Sequence, residues 1–132
     1  MTIYLSIGEN ETKELREFPN TSLPNELHNW FEMAKMVLKL PNTKVHFIKN
    51  EDAKKTANGC LVRIGQLGSA YSEDDYIAFV ESDDGIVNDK EIIIHELIHL
   101  LGVIHTETNH EFYNNLVYKF YNDIEKLIVV NE

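Results

Sequence analysis

The segment IIIHELIHLLG, residues 92–102, carries two histidines four positions apart inside an otherwise almost wholly apolar run. Asp84-Gly85 marks a turn before it, and Asn88 with Glu91 three positions later favours a capped helix start. Gly102 is the residue type that commonly follows the end of a helix. The sequence therefore predicts a helix over residues 88–102, around which any fold of this chain must be arranged.

Hydrophobic periodicity predicts six further elements. They are strands at residues 2–7, 43–49, 59–64 and 76–80, and helices at residues 24–40 and 109–128. The first of these helices has a single apolar face, formed by Leu27, Trp30, Phe31, Ala34 and Leu38. With 132 residues the chain is predicted to be one domain, 1–132, of the α+β class with three helices.

The last helix is predicted to begin at a capping box formed by Thr108 and Glu111. Its apolar residues at helical spacing are Phe112, Leu116, Val117, Phe120, Ile124, Leu127 and Ile128. This pattern is typical of an amphipathic helix that packs on the core.

Charge and composition limit the classes of partner. The net charge is −10 and no stripe of basic residues offsets it, which disfavours nucleic acid. No apolar run approaches the roughly 20 residues that span a bilayer, and no secretory signal precedes residue 15, so we expect a cytoplasmic protein with no membrane partner. The single cysteine, Cys60, cannot form an internal disulfide and is predicted to be a buried strand residue.

His95 and His99 lie on one face of the predicted helix, about 40° apart around its axis and one turn apart along it. Both imidazoles can therefore reach one metal ion. Glu96 lies about 100° round the helix from His95, where it can contact a water bound to that ion but cannot easily join the same coordination sphere. This spacing is typical of a zinc site with a glutamate as general base.

A catalytic zinc ion normally takes a third protein ligand. On an uninterrupted helix His105 would lie about 9 Å beyond His99 along the axis, too far to share a metal. Gly102 permits a left-handed turn that brings His105 back, so His105 is the predicted third ligand. His110 is the rival, delivered by the loop TETN.

Other candidate residues are weaker. Glu107 and Glu111 could contribute carboxylates, the latter being engaged in the predicted capping box. His28 and His46 have no partner at ligand spacing and are expected to be structural. Tyr113 is expected at the helix surface or core edge, with a minor candidacy as a transition-state hydrogen-bond donor.

The motif H95-E96-L-I-H99-L-L-G102-V-I-H105 resembles, position by position, the long zinc-binding motif of the metzincin clan of zinc metallopeptidases. The resemblance implies a zincin-like fold with a small mixed sheet, whose antiparallel edge strand, YIAFV, would hold an extended substrate. It implies one catalytic Zn²⁺ on His95, His99 and His105, with Glu96 as general base. The chain departs from the pattern because metzincins carry a methionine turn after the motif, whereas the last methionine here is Met36.

Two other resemblances remain open. Bacterial ribosomal-RNA maturation endoribonucleases use HGxLHLxGxDH, with histidines at the same three positions but glycine where this chain has Glu96. A zincin relative with a downstream N-H-x-x-F pattern is vaguely similar to Asn109–Phe112, and would use His110. A zinc-stabilised binding module without catalysis, in which His110 closes the coordination sphere, is a further alternative.

These observations favour a zinc-dependent peptidase that hydrolyses peptide bonds by means of an activated water, with a peptide or protein as its substrate. The metal-dependent endoribonuclease ranks second because the surface is acidic. Imidazole ligands also accept other divalent ions, and zinc is preferred on the family resemblance.

Overall fold

The computed structural model describes residues 4–8, 10–59, 62–63 and 75–130. These residues form a small mixed α/β domain with two small sheets and four α-helices. In chain order the elements are β1 (Tyr4–Ile7), β2 (Glu11–Glu14), a 3-10 helix (Leu15–Glu17), α1 (Asn25–Leu38), β3 (Lys44–Ile48), α2 (Asn50–Thr56), β4 (Val62–Arg63), β5 (Tyr76–Val80), α3 (Ile86–Leu100) and α4 (His110–Val130).

The sheets differ in direction. β1 pairs antiparallel with β2 and β4, giving the order β2-β1-β4. β3 and β5 pair in parallel, with Phe47 opposite Phe79 and Ile48 opposite Val80. The single mixed sheet predicted from the sequence is therefore wrong, and so is the antiparallel edge strand at residues 76–80. Ile77, Ala78 and Phe79 are fully buried, so their main chain is not exposed for pairing with an extended substrate.

The β3–β5 sheet separates two hydrophobic clusters. Successive side chains of a strand point to opposite faces, so Phe47, Ile77 and Phe79 face the cluster formed with α1, α3 and α4. Ile48 and Ala78 instead belong to the second cluster, which contains Leu5, Ile7, Leu15, Phe18, Ala53 and Ala57. One sheet thus supports the histidine-bearing helix on one face and β1 with α2 on the other.

The predicted apolar face of α1 is confirmed, since all five of its residues are buried. Trp30 on this face donates a hydrogen bond from Nε1 to the carbonyl of Lys90 on α3, at 3.3 Å. The buried Lys90 ammonium pairs with Glu26 of α1 at 3.0 Å and Glu125 of α4 at 3.8 Å. α3 is therefore fixed against both neighbouring helices by apolar packing and by these polar contacts.

Several local predictions are corrected. There are four helices in the described residues rather than three, because α2 was not predicted, and β2 was also missed. α3 begins at Ile86 after Gly85, which has φ 96°, and Asn88 is not a cap, because its side chain donates to Ser82 and Asp84. α4 begins at His110, and the Thr108 hydroxyl bonds that of Thr106 instead of capping the helix.

The remaining strand predictions are met in part. β1 and β3 are confirmed within residues 2–7 and 43–49. Of the strand predicted at 59–64 the structure describes only Val62–Arg63 as strand, and the prediction for Cys60 lies outside the described residues. Among the described helices none has the length and apolar character required to cross a bilayer.

Candidate metal centre

α3 presents the first two candidate ligands. His95 and His99 are one turn apart, and their ring centroids are separated by 4.9 Å. His99 is buried and His95 is partly buried, because the helix packs on the core along the neighbouring residues Ile94, Leu97 and Ile98. The apolar side of the helix therefore holds the histidine side in place.

The chain turns back after α3 and brings the third candidate to the first two. α3 ends at Leu100, and Gly102 adopts φ 90°, a conformation that residues with a Cβ rarely tolerate. The His105 ring centroid lies 5.1 Å from that of His95 and 5.0 Å from that of His99. One nitrogen of each ring lies within 4.8 Å of the other two. The turn predicted at Gly102 is thus present.

The rival candidates do not join this group. His110 is exposed at the start of α4, and its Nδ1–H donates to the carbonyl of Glu107 at 3.1 Å. Glu107 and Glu111 are exposed and do not belong to any group of possible metal ligands in the described residues. Met36, the last methionine, is exposed on α1.

The arrangement fits a metal ion. Two nitrogens bound tetrahedrally to zinc at about 2.0–2.1 Å lie about 3.4 Å apart. Side-chain rotations that move each of the three histidine nitrogens by about 1 Å would therefore bring them onto one ion. His99 Nδ1 lies 3.0 Å from the carbonyl of Val103 and must therefore donate to it, which leaves Nε2 as the deprotonated nitrogen in the neutral ring. This second contact orients the ring as a ligand requires.

Burial favours the neutral form of His95 and of His99. Burial lowers the pKa of His95 from 6.5 to about 4. Repulsion from His99 and His105, when these rings are protonated, makes a smaller contribution in the same direction. The pKa of His99 is also lowered, chiefly by burial, although its bond to Val103 opposes the effect. Neutral imidazole is the form that binds a metal, so the protein environment favours metal over protons at this position.

Glu96 is buried beside the candidate ligands, and it also lines a surface cleft. The cleft has a volume of about 310 Å³ and runs between α3 and α4. Its lining includes His95 and Glu96, together with Asn88, Glu91, Ile92, Asn114, Val117 and Tyr118. A molecule bound in this cleft would therefore lie against the candidate base and one of the candidate ligands.

Tyr113 is the site residue that the sequence patterns undervalued. It is fully buried, and its ring centroid lies 4.8, 5.0 and 5.2 Å from those of His95, His99 and His105. Its hydroxyl donates to the carbonyl of His95, so it is directed at the backbone of α3. Burial, and next to it the charge of Glu96, raises its pKa, which keeps the phenol neutral.

Tyr113 was missed because the sequence prediction assigned the wrong residue to the core-facing side of α4 at its start. The sequence prediction placed Phe112 on the core face, but Phe112 is 58% exposed. Tyr113, Val117 and Ile124 are the buried residues, so the core face is shifted by one position at the start of the helix. The spacing of Tyr113 from Val117, four residues, was the available signal.

The two remaining histidines are structural or exposed. His46 is buried on β3, where its two nitrogens bond Tyr76 and Phe18. His28 is exposed on α1 and lines a separate cleft with Phe31 and Val45. Neither belongs to a group of possible metal ligands among the residues described.

Comparisons with known proteins give no relative to which this site can be referred. No protein-family model matches the chain, and no curated protein and no solved structure shows significant similarity to it.

Proposed function

We propose that this protein is a zinc-dependent peptidase in which His95, His99 and His105 hold the metal and Glu96 is the general base. The observation that carries the proposal is the convergence of three histidine nitrogens within 4.8 Å of one another, next to a buried glutamate that lines an open cleft. The motif HELIHLLGVIH, which resembles that of metzincins, supports the same assignment.

The roles of the residues follow from their positions. Zinc, when bound, supplies a Lewis acid that polarises a carbonyl and brings the pKa of a water close to 7. Glu96 accepts the proton of the attacking water and returns it to the leaving amine. The Val103 carbonyl holds the His99 ring in the tautomer that a metal ligand needs.

The cleft between α3 and α4 is the proposed path for the substrate. It replaces the strand-pairing mode expected from the metzincin resemblance, because the centre of β5 is buried. Asn114 offers a side-chain amide for the main chain of a peptide, and Asn88, whose NH₂ donates to Ser82 and Asp84, offers its amide oxygen. Ile92 and Val117 give the cleft an apolar part. A short stretch of peptide fits this combination of polar and apolar groups.

The test is cleavage of a diverse peptide mixture by the zinc-loaded protein, with products identified by mass spectrometry. Replacing Glu96 by Gln should preserve zinc binding and reduce cleavage by at least the roughly 10²- to 10⁴-fold typical of a positioned acid–base group. Glu111→Gln is the matched control, since this exposed glutamate of α4 does not line the cleft, and its cleavage should equal that of the wild type.

Equal cleavage by wild type and Glu96→Gln would contradict the mechanism. Zinc binding without cleavage of any peptide would contradict the peptidase assignment as a whole. In that case, binding of structured RNA that weakens with salt would indicate the endoribonuclease alternative, for which the histidine positions of HGxLHLxGxDH are the supporting observation. A cobalt-substituted protein without an exchangeable water would indicate the binding-module alternative.

A further inference from the structure

The start of α4 contacts the candidate metal centre through Tyr113, whose ring is a common neighbour of all three histidines. Its centroid is nearly equidistant from the imidazoles, at 4.8, 5.0 and 5.2 Å, and the side chain is fully buried. Contact with one histidine would be ordinary core packing. Contact with three at similar distance means that a change in the ring's position or volume affects every candidate ligand.

Tyr113 is also fixed at both ends. Its hydroxyl donates to the carbonyl of His95, and its backbone N–H donates to the carbonyl of Asn109 at 2.9 Å. The ring is therefore tied to the helix that bears two ligands and to the first turn of α4. It has little freedom to swing away from the imidazoles, which is the condition for a rigid support.

Asn109 performs a related task for the third ligand. Its side-chain NH₂ donates to the carbonyl of Ile104 at 2.9 Å, and its side-chain oxygen accepts from the backbone N–H of Thr106. These two groups directly precede and follow His105 in the chain. One amide side chain thus holds the backbone on both sides of His105. Without it, the position of His105 in this exposed loop would depend on the turn at Gly102 alone.

We propose that Tyr113 and Asn109 are positioning residues that preorganise the metal centre, Tyr113 as the support of the three imidazoles and Asn109 as the clamp of the His105 loop. The inference rests on the metal ligation in the proposed function but not on peptide cleavage. Outer-shell partners of metal ligands typically account for roughly 10- to 100-fold in metal affinity. Loss of either side chain should therefore weaken zinc binding without removing a ligand.

The experiment measures zinc affinity of the full chain by competition with a chromophoric chelator. Tyr113→Leu and Asn109→Ala should each weaken binding by roughly 10- to 100-fold. Tyr113→Phe retains the ring and loses only the bond to the His95 carbonyl, so it should weaken zinc binding less than Tyr113→Leu does; the difference between the two variants measures the support that the ring itself gives. Cobalt-loaded Tyr113→Leu should also show a changed visible spectrum, since the ligand geometry is relaxed.

Two controls come from the same helix. Tyr121 packs on Trp30 at a ring distance of 4.9 Å and does not contact the histidines, so Tyr121→Leu removes an aromatic ring without touching the site. Asn115 is exposed, and Asn115→Ala controls for loss of a side-chain amide. Unchanged zinc affinity in Tyr113→Leu and Asn109→Ala, an equal loss in Tyr121→Leu, or no zinc binding by the wild type would overturn the proposal.

Folding does not obscure the result. If Tyr113→Leu fails to fold by circular dichroism, Asn109→Ala still tests the proposal, because Asn109 is only partly buried, and wild-type zinc affinity in that variant would overturn it. Failure of the peptidase assignment is distinguishable, because it would show as zinc binding that depends on Tyr113 and Asn109 together with no cleavage of any peptide.

Discussion

Buried histidines occur in two regions of this molecule, and their surroundings differ. His46 lies alone on β3, and each of its nitrogens has a hydrogen-bond partner: Nε2–H donates to the carbonyl of Phe18 at 3.0 Å, and the Tyr76 hydroxyl donates to Nδ1 at 3.1 Å. Around α3, by contrast, His99 is buried, His95 is partly buried and His105 is exposed. The rings of His95 and His105 make no hydrogen bond with any described residue, and His99 uses only Nδ1.

The difference separates a structural histidine from candidate ligands. A buried polar group is normally satisfied by hydrogen bonds, and His46 follows this rule with both nitrogens. The nitrogens of His95, His99 and His105 that lie within 4.8 Å of one another have no hydrogen-bond partner in the part of the chain that the structure describes, and this arrangement suits a bound metal ion. Whether each ring nitrogen has a hydrogen-bond partner, rather than how deeply the ring is buried, therefore distinguishes a structural histidine from a candidate metal ligand.

The largest effect that can break this comparison comes from removing a ligand. We expect His105→Ala to lower zinc affinity by more than the roughly 10- to 100-fold of an outer-shell substitution, because a coordination bond is lost. His46→Gln and His110→Ala should bind zinc as the wild type does. The measurement is chelator competition on the folded variants, and a large loss of affinity in His110→Ala would instead place the third ligand at the start of α4.

A smaller effect, on stability, is expected from substitutions in the region of His46. His46→Leu leaves the Phe18 carbonyl and the Tyr76 hydroxyl unsatisfied, and each such buried group costs roughly 1–3 kcal/mol. Tyr76→Phe leaves one group, the Nδ1 acceptor of His46, without its donor, and should cost roughly 1–3 kcal/mol, less than His46→Leu, which leaves two groups unsatisfied. Urea unfolding of the metal-free proteins measures both. An unfolding free energy in His46→Leu equal to that of the wild type would show that His46 is not a structural histidine.

The same contrast shows how far the sequence could predict the molecule. The α1 face and the turn at Gly102 follow from local periodicity and from a glycine's conformational freedom, and both were predicted. α2 was missed because NEDAKKT has no apolar periodicity: it buries only Ala53, and its acidic first turn and basic last turn suit the helix dipole. β2, ETKE, is similarly polar and takes its structure from pairing with β1.

Contacts between distant parts of the chain were beyond the sequence patterns. The parallel pairing of β3 with β5 joins strands about 30 residues apart, and nothing in either strand's alternation specifies its direction. Tyr113 is amphipathic and neighbours an apolar Phe112, so periodicity alone placed the wrong residue on the core face. The contact of Asn109 with Ile104 depends on the path of the loop between α3 and α4, which the motif HELIHLLGVIH does not determine.

The smallest expected effect is a pH dependence that His46 should confer on the metal-free protein. Burial lowers the pKa of His46 below 6.5, against weaker opposing effects of the Phe18 and Pro19 backbone. The unfolded chain therefore takes up this proton more readily than the folded one. The contribution of His46 to stability is fully present above pH 6.5 and is lost as the pH falls from 6.5 through the folded pKa.

Comparison with His46→Gln isolates this contribution, because glutamine can donate to the Phe18 carbonyl and accept from Tyr76 but does not titrate. His95 and His99, whose pKa values are lowered, change stability with pH in the same direction as His46. Asp89, whose pKa is raised to about 6 chiefly by burial, acts in the opposite direction. Both effects are common to the wild type and to His46→Gln, so they cancel in the comparison. We expect the unfolding free energy of the wild type to fall relative to His46→Gln below pH 6.5 in urea titrations. Parallel profiles would mean that His46 is already free to accept a proton in the folded state, and the contrast between the two regions would then rest on geometry alone.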